Sequence, residues 1–116
     1  MVCVHHLNFS DKDYASKGNR IKWNPAVKTE ADQNALWEAF NNDLIDVLAT
    51  DHAPHTLEEK ALAYPESPSG TPGVQTLVPI MLNHVNEGKL SLEDFAQKYV
   101  PEMKELKYLT SDAPLI

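Results

Sequence analysis

The feature that most constrains the fold is a short apolar run, Leu44–Thr50, which lies directly after a helical pattern and directly before a long loop. The run reads LIDVLAT and is apolar except for Asp46 and Thr50. A short apolar run in this position is typical of a buried parallel strand. The following loop, Asp51–Gly73, is rich in proline and glycine. Loops of this length inside a compact domain are uncommon and are usually functional.

The first forty residues repeat the order of strand, loop and helix. Val2–Leu7 is mostly apolar and β-branched, which predicts a short strand, and Asn8–Gly18 is polar, which predicts a loop or a short helix. A proline in Ile21–Val27 argues against a central strand there. Thr29 and Asp32 have the spacing of a capping box and predict the start of a helix. Its apolar face is predicted to contain Ala31, Ala35, Leu36, Ala39 and Phe40.

Two helices are predicted after the long loop. The first has one apolar stripe, and Pro79 either kinks it or marks where its regular part starts. Gly88 is a stop signal for this helix. Ser91 and Asp94 then form a second capping-box pattern, and Pro101 is expected to end that helix. The stripe of the first helix contains Val74, Leu77, Val78, Met81, Leu82 and Val85.

This alternation predicts an α/β fold made of βα units with a parallel sheet. Two parallel strands alone are a poor fold, because both of their faces and both of their edges need cover. The chain has 116 residues, whereas a whole barrel of eight βα units needs roughly 250. We therefore expect the chain to be part of a larger α/β domain.

Composition excludes several classes of function. The net charge is −7 and the lysines and arginines form no cluster, so neither a nucleic acid nor an anionic membrane is expected as a partner. No apolar run approaches the roughly 18 residues that cross a bilayer, and the first residues lack the pattern of a secretory signal. Cys3 is the one cysteine, so no internal disulfide is expected. A cytoplasmic protein fits these features best.

The chemistry is expected at Asp51, where the predicted strand Leu44–Thr50 ends. The carboxyl ends of strands face the active site in α/β folds, and His52 and His55 lie within four residues of Asp51. A carboxylate beside two imidazoles at a strand end suits a metal or acid/base site. Each residue has a structural alternative: Asp51 as a turn former, His52 packed under the loop, and His55 as an ordinary loop residue.

Several segments together resemble the dihydroorotase family of the amidohydrolase superfamily. They are ATDHAPHTLEEK, SPSGTPGVQT, VCVHHLNFSDKDY, IKWNPAVKTEAD and PIMLNHVNEGKLSLEDF, and the resemblance covers about Val2–Val100. It implies a partial (β/α)8 TIM barrel of the metal-dependent amidohydrolase type, comprising about the last two βα units plus flanking helices. Residues 1–100 would form this carboxyl-terminal part of the barrel, and residues 101–116 a divergent or truncated tail.

The same resemblance implies roles for individual residues. Asp51 matches an aspartate that binds one zinc of a usually binuclear centre, accepts a proton from the attacking water and passes it to the leaving nitrogen. His55 matches a histidine that binds the substrate carboxylate, and Asn24 matches an asparagine that hydrogen-bonds the pyrimidine ring. The segment from Pro68, through Gly70, to Gly73 matches a loop that lies over the substrate.

These substrate residues also have structural alternatives. Asn24 precedes a proline and is a common turn former. Gly70 and Gly73 provide loop flexibility and an entry into the next helix. The second of these interpretations is compatible with a role in binding.

The remaining histidines are expected to have other roles. Adjacent residues of a strand point to opposite faces, so His5 and His6 are not expected to bind one metal ion. Cys3 is interpreted as a small buried hydrophobic residue. His84 falls on the polar side of its helix and is expected to be solvated.

The resemblance implies the function of a dihydroorotase fragment that is inactive alone, because the other zinc ligands of the family are absent from this sequence. A second hypothesis is a non-catalytic relative that acts as a scaffold for aspartate transcarbamoylase; homodimerisation is also compatible. A third is an independent small α/β domain with a mononuclear metal site of His5, His52 and His55.

Overall fold

The computed structural model describes residues 1–105, which fold into a mixed α/β arrangement. The strands are β1 (Val2–Cys3) and β2 (Leu48–Ala49). The helices are α1 (Val4–Asn8), α2 (Tyr14–Lys17), α3 (Glu30–Asn41), α4 (Leu57–Lys60), α5 (Leu77–Asn86) and α6 (Leu92–Glu105). Two 3-10 turns, Asp11–Asp13 and Gly18–Ile21, flank α2.

The two strands pair in parallel, as predicted, but both are shorter than expected. Val2 pairs with Leu48 and Cys3 with Ala49. The strand predicted over Val2–Leu7 is wrong beyond Cys3, because the chain turns into helix α1 at Val4. The strand predicted over Leu44–Thr50 is likewise reduced to two residues. A strand extends only as far as its backbone has a hydrogen-bonded partner. Since β1 contains two residues, only two residues of β2 are paired.

Helix α3 begins as its capping box predicts. Thr29 accepts a hydrogen bond from the Asp32 amide, and the Asp32 carboxylate accepts one from the Thr29 amide. The buried face was predicted only in part, because it centres on Trp37 and Phe40. Trp37 is held by a hydrogen bond from its Nε1 to the carbonyl of Leu7, 3.0 Å away. This contact joins α3 to α1 below the paired strands.

Helix α5 buries Leu77, Met81 and His84. Leu77 and Met81 belong to the hydrophobic core that also contains Trp37 and Phe40. The prediction that His84 is solvated is wrong, because its side chain is buried against the edge of the Trp37 ring. Its Nε2 lies 3.1 Å from the side-chain oxygen of Asn8. Two members of the predicted stripe, Val74 and Leu82, are exposed instead.

Of the two predicted helix ends, the one at Gly88 is found in the structure and the one at Pro101 is not. Gly88 follows α5 with a positive φ of 77°, as the stop signal predicts. Helix α6 starts after Ser91, which accepts a hydrogen bond from the Asp94 amide. The predicted break at Pro101 is wrong, since α6 continues to Glu105. Most of the predicted tail, residues 106–116, lies outside the described part of the chain.

Within residues 1–105, no helix has both the length and the apolar character needed to cross a membrane.

Candidate functional site

Asp51 stands beyond the carboxyl end of β2, two residues after the last paired residue, Ala49. It is exposed and has a positive φ of 48°, a conformation that aspartate tolerates better than most residues. Gly73 packs against the preceding residue, so that a Cβ at Gly73 would lie 3.0 Å from the carbonyl oxygen of Thr50. The end of the strand and the approach to α5 are therefore in direct contact.

His52 closes the long loop at its base. Its Nδ1 accepts hydrogen bonds from the amides of Gly73 and Val74, at 3.0 and 3.3 Å. Its backbone forms a parallel bridge with Thr71, and the amide of Ala53 donates to the Thr71 carbonyl at 3.1 Å. His52 is exposed and does not pack under the loop, so its ring instead joins the two ends of Asp51–Gly73.

His55 and Gly70 meet in the middle of this loop. The Nε2 of His55 donates to the carbonyl of Ser69 at 3.1 Å, and its Nδ1 lies 3.5 Å from the Glu59 carboxylate. Gly70 has a φ of +114°, and a Cβ there would lie 2.6 Å from the Cβ of Ala53. Only glycine fits this position without a shift of the backbone.

Lys60, the last residue of α4, is buried below the loop. Its Nζ donates to the carbonyls of Lys22, Pro68 and Gly70, at 3.2, 2.9 and 3.0 Å. Burial lowers the pKa of the Lys60 ammonium, and the nearby Lys22 cation lowers it further. Three carbonyl dipoles compensate the buried charge and fix the turn that contains Gly70.

Lys22 holds the other side of the same turn. Its Nζ donates to the carbonyls of Pro65, at 2.8 Å, and of Ser67. The ammonium also lies over the Tyr64 ring, 4.9 Å from its centroid. We call Lys22 and Lys60 together the lysine clamp. Neither residue was predicted from the sequence, because a lysine that binds backbone carbonyls has no distinctive periodicity or motif.

A second cluster lies beside Asp51 and is built around Trp23. The rings of His5 and Trp23 stack with centroids 4.2 Å apart and planes 2° apart, and the Trp23 Nε1 donates to the Thr71 hydroxyl at 3.0 Å. Burial and, to a smaller extent, the nearby His6 lower the pKa of His5 to about 4, while Asp51 opposes the shift. A cavity of about 280 Å³ is lined by His5, Trp23 and Thr71, among others.

Asn24 lies in a different place from Asp51. It is exposed and lines a cleft of about 550 Å³ together with Lys22, Tyr64 and Ser69. Ser69 connects this cleft to His55 through the hydrogen bond described above. The predicted substrate residues therefore surround one turn of the loop, and Asp51 is joined to that turn through the loop base at Gly73.

Cys3, His5 and His6 lie closer together than the sequence analysis expected. One donor atom from each of the three side chains lies within 4.8 Å of the other two. His5 and His6 were not expected to bind one ion because adjacent strand residues point to opposite faces. This reason is wrong, since both residues lie on helix α1 and not on a strand. The alternative set of His5, His52 and His55 does not converge in residues 1–105.

Comparisons with known proteins agree with the resemblance. The chain is 47% identical over 98 residues to the multifunctional protein pyr1-3 of Dictyostelium discoideum, covering 84% of this chain and 4% of that protein. It is 41% identical over 97 residues to the dihydroorotase of Pyrococcus furiosus, covering 84% of this chain and 22% of the enzyme. No family model matches the chain.

Solved structures give the same result for the fold. The L-hydantoinase (dihydropyrimidinase) of Arthrobacter aurescens superposes with a TM-score of 0.80 and 33% identity, over 87% of this chain and 24% of that one. An inactive dihydroorotase-like domain of the Chaetomium thermophilum CAD-like multifunctional protein superposes with a TM-score of 0.65 and 26% identity, over 95% of this chain and 29% of that one.

The chain thus spans less than a quarter of the curated relatives given above. Within that span, sequence and fold agree on one group of proteins. The resemblance predicted from the sequence is confirmed: over most of its length this chain is similar to a segment of proteins named dihydroorotase, and its fold is similar to that of amidohydrolases.

Proposed function

We propose that the chain is the carboxyl-terminal part of the catalytic barrel of a dihydroorotase. Such an enzyme hydrolyses a cyclic amide and interconverts dihydroorotate and N-carbamoyl-L-aspartate in de novo pyrimidine synthesis. The observation that carries the proposal is the 41% identity to the dihydroorotase of Pyrococcus furiosus, in a segment where Asp51 follows a parallel strand after the single intervening residue Thr50. Residues 1–100 then form about the last two βα units, with flanking helices, of a (β/α)8 barrel, and residues 101–116 a divergent tail.

In this proposal Asp51 is both a metal ligand and the proton carrier. Its exposed carboxylate takes part in no ion pair within residues 1–105, which leaves its oxygens available. Bound zinc would polarise the amide carbonyl and lower the pKa of water to about 7. Asp51 would accept the proton of the attacking water and donate it to the leaving ring nitrogen.

This chain supplies one predicted ligand at that centre, whereas a catalytic zinc usually has three protein ligands. In this proposal the remaining ligands are supplied by other segments of the enzyme. For this reason we expect the chain alone to show no turnover of dihydroorotate.

The loop would bind the substrate. His55 would hold the substrate carboxylate, and its orientation is fixed by its hydrogen bond to Ser69. Asn24 would bind the pyrimidine ring from the cleft that it shares with Ser69. Backbone groups of Pro68, Gly70 and Gly73 would lie over the substrate, because glycine lets a main chain approach a ligand closely.

A chimaeric enzyme tests this proposal. Residues 1–100 replace the matching segment of the Pyrococcus furiosus dihydroorotase, and turnover of dihydroorotate is measured. We expect an active chimaera whose Asp51→Asn variant loses a factor of about 10²–10⁴ in kcat. Asp46→Asn, which changes an exposed aspartate of the same run, should keep the activity of the parent chimaera. An Asp51→Asn chimaera with unchanged kcat would refute the assigned role.

A non-catalytic scaffold for aspartate transcarbamoylase is a second candidate, favoured by the likeness to a domain described as inactive. It predicts a folded chimaera without turnover that still co-elutes with aspartate transcarbamoylase in size-exclusion chromatography. In the catalytic proposal, by contrast, the protein is a cytoplasmic enzyme whose partner is its small-molecule substrate. That proposal is also compatible with a homodimer. Turnover by the chimaera separates the two, because a scaffold has no need of Asp51.

A further inference from the structure

Three potential metal ligands converge where β1 passes into α1, outside the residues assigned to the proposed reaction. Cys3 is the last residue of β1, and His5 and His6 lie in the first turn of α1. Their donor atoms all lie within 4.8 Å of one another. Ligands bound to one tetrahedral zinc at about 2.0–2.3 Å are roughly 3.5 Å apart. Small side-chain rotations are therefore enough to bring the three atoms onto one ion.

His5 carries an unsatisfied atom. Its side chain is only 5% exposed, and its Nε2 is buried without a hydrogen-bond partner in the described part of the chain. Buried side-chain nitrogens are nearly always paired, and an exception calls for an explanation such as an ion. A metal ion would give this nitrogen the partner that the protein itself does not provide.

His6 is oriented as metal-binding histidines usually are. Its Nε2 donates to the carbonyl of Pro25 at 3.0 Å, so the proton is on Nε2 and Nδ1 keeps a free lone pair. Histidine ligands commonly donate their second ring nitrogen to a backbone carbonyl in this way, which fixes the tautomer and the ring. The Pro25 carbonyl therefore prepares His6 to bind through Nδ1.

The cluster is accessible and its chemistry is selective. Cys3, His6 and Pro25 line a cavity of about 330 Å³, which gives an ion a route to the site. The three side chains offer one sulfur and two imidazole nitrogens. Such a set suits Zn²⁺ and disfavours Mg²⁺ and Ca²⁺, which require oxygen ligands.

We propose that Cys3, His5 and His6 form a metal site for Zn²⁺ or a similar divalent transition-metal ion, distinct from the centre proposed at Asp51. Three protein ligands leave one coordination position open for water. The inference does not depend on the proposed activity, because it rests on these side chains alone.

Cobalt titration of the metal-free 116-residue chain tests the site. Co²⁺ is a spectroscopic substitute for Zn²⁺, and coordination by a thiolate produces a charge-transfer absorption in the near ultraviolet. We expect this band to saturate at one Co²⁺ per chain and to disappear when Zn²⁺ is added. Absence of the band from a chain that is folded by far-ultraviolet circular dichroism would overturn the inference.

Four variants identify the ligands. Cys3→Ser should abolish the charge-transfer band. His6→Ala, at a position that is less buried than that of His5, should weaken Co²⁺ binding tenfold or more. His55→Ala should keep both the band and the affinity, and Asp51→Asn, which removes a charge that acts on His5, should keep the band. A band that survives Cys3→Ser, or an affinity that Asp51→Asn reduces as strongly as His6→Ala does, would assign the metal to other ligands and refute this site. None of these outcomes bears on turnover by the chimaera.

Discussion

Replacing Gly70 by alanine should destabilise the chain far more than the same change at a glycine with free space around it. A φ of +114° is nearly inaccessible to alanine and costs about 1–3 kcal/mol. The added Cβ would also lie 2.6 Å from the Cβ and 2.9 Å from the carbonyl oxygen of Ala53. Relief of such an overpacked contact costs about 1–3 kcal/mol more. The lower entropy of the unfolded alanine variant offsets about 0.4–1 kcal/mol of this cost. We therefore expect the free energy of unfolding to fall by about 3 kcal/mol.

Gly88 provides the matched control. It also has a positive φ, of +77°, but no atom lies within 4 Å of a Cβ built there. Gly88→Ala therefore tests backbone strain without the contact, and its cost should be about 1 kcal/mol or less. The difference of about 2 kcal/mol between the two variants measures the close approach to Ala53 together with the greater backbone strain at the φ of Gly70.

Urea unfolding at equilibrium, followed by far-ultraviolet circular dichroism and tryptophan fluorescence, gives the two free energies of unfolding. Trp23 reports on the loop through its bond to Thr71, and Trp37 reports on the core. Equal losses in Gly70→Ala and Gly88→Ala would refute the reasoning, because they would show that the loop moves away from Ala53 at no cost.

Three further changes test other parts of the structure. Lys60→Met removes three charge-assisted hydrogen bonds and should lower the free energy of unfolding by about 2–3 kcal/mol, whereas Lys12→Met, at an exposed ion pair, should change it far less. Thr29→Ala removes the cap of α3 and should cost about 1 kcal/mol by urea unfolding. Burial holds the pKa of His84 below 6.5 despite its bond to Glu87, so the unfolded chain binds this proton more readily and stability should fall on acidification below about pH 6.5. Thermal melts of His84→Gln should show a smaller loss between about pH 7 and 5, and an unchanged pH slope would contradict the assignment.

The sequence predicted those elements whose signals are local. The capping box at Thr29, the helix start at Ser91 and the stop at Gly88 each depend on residues within one helical turn, and each is found in the structure, although at Ser91 only the bond from the Asp94 amide to the hydroxyl is formed. The parallel pairing of the two apolar runs was also correct.

Predictions that depend on distant partners were less successful. Val4–Leu7 was predicted to be part of a strand but lies in helix α1, whose buried face packs against α3 and α5. His84 was assigned to solvent because its own helix places it beside polar residues, yet Trp37 and Asn8 come from elsewhere to bury it. Helix periodicity carries no information about such contacts.

The candidate site divides in the same way. Asp51 was found because it follows a strand and belongs to a recognisable motif, and the roles assigned to it, Asn24 and His55 remain predictions. The lysine clamp could not be found from the sequence, since its partners are carbonyl groups that every residue possesses.

The lysine clamp also has a consequence for evolution. Apart from the contact of Lys22 with the Tyr64 ring, both ammonium groups hold the turn by its main chain, so they place few demands on the side chains that the turn displays outward. Exposed positions such as Glu66 and Ser69 can then change while the path of the backbone is preserved. What this loop contacts can therefore change one side chain at a time, while the path of its backbone stays the same.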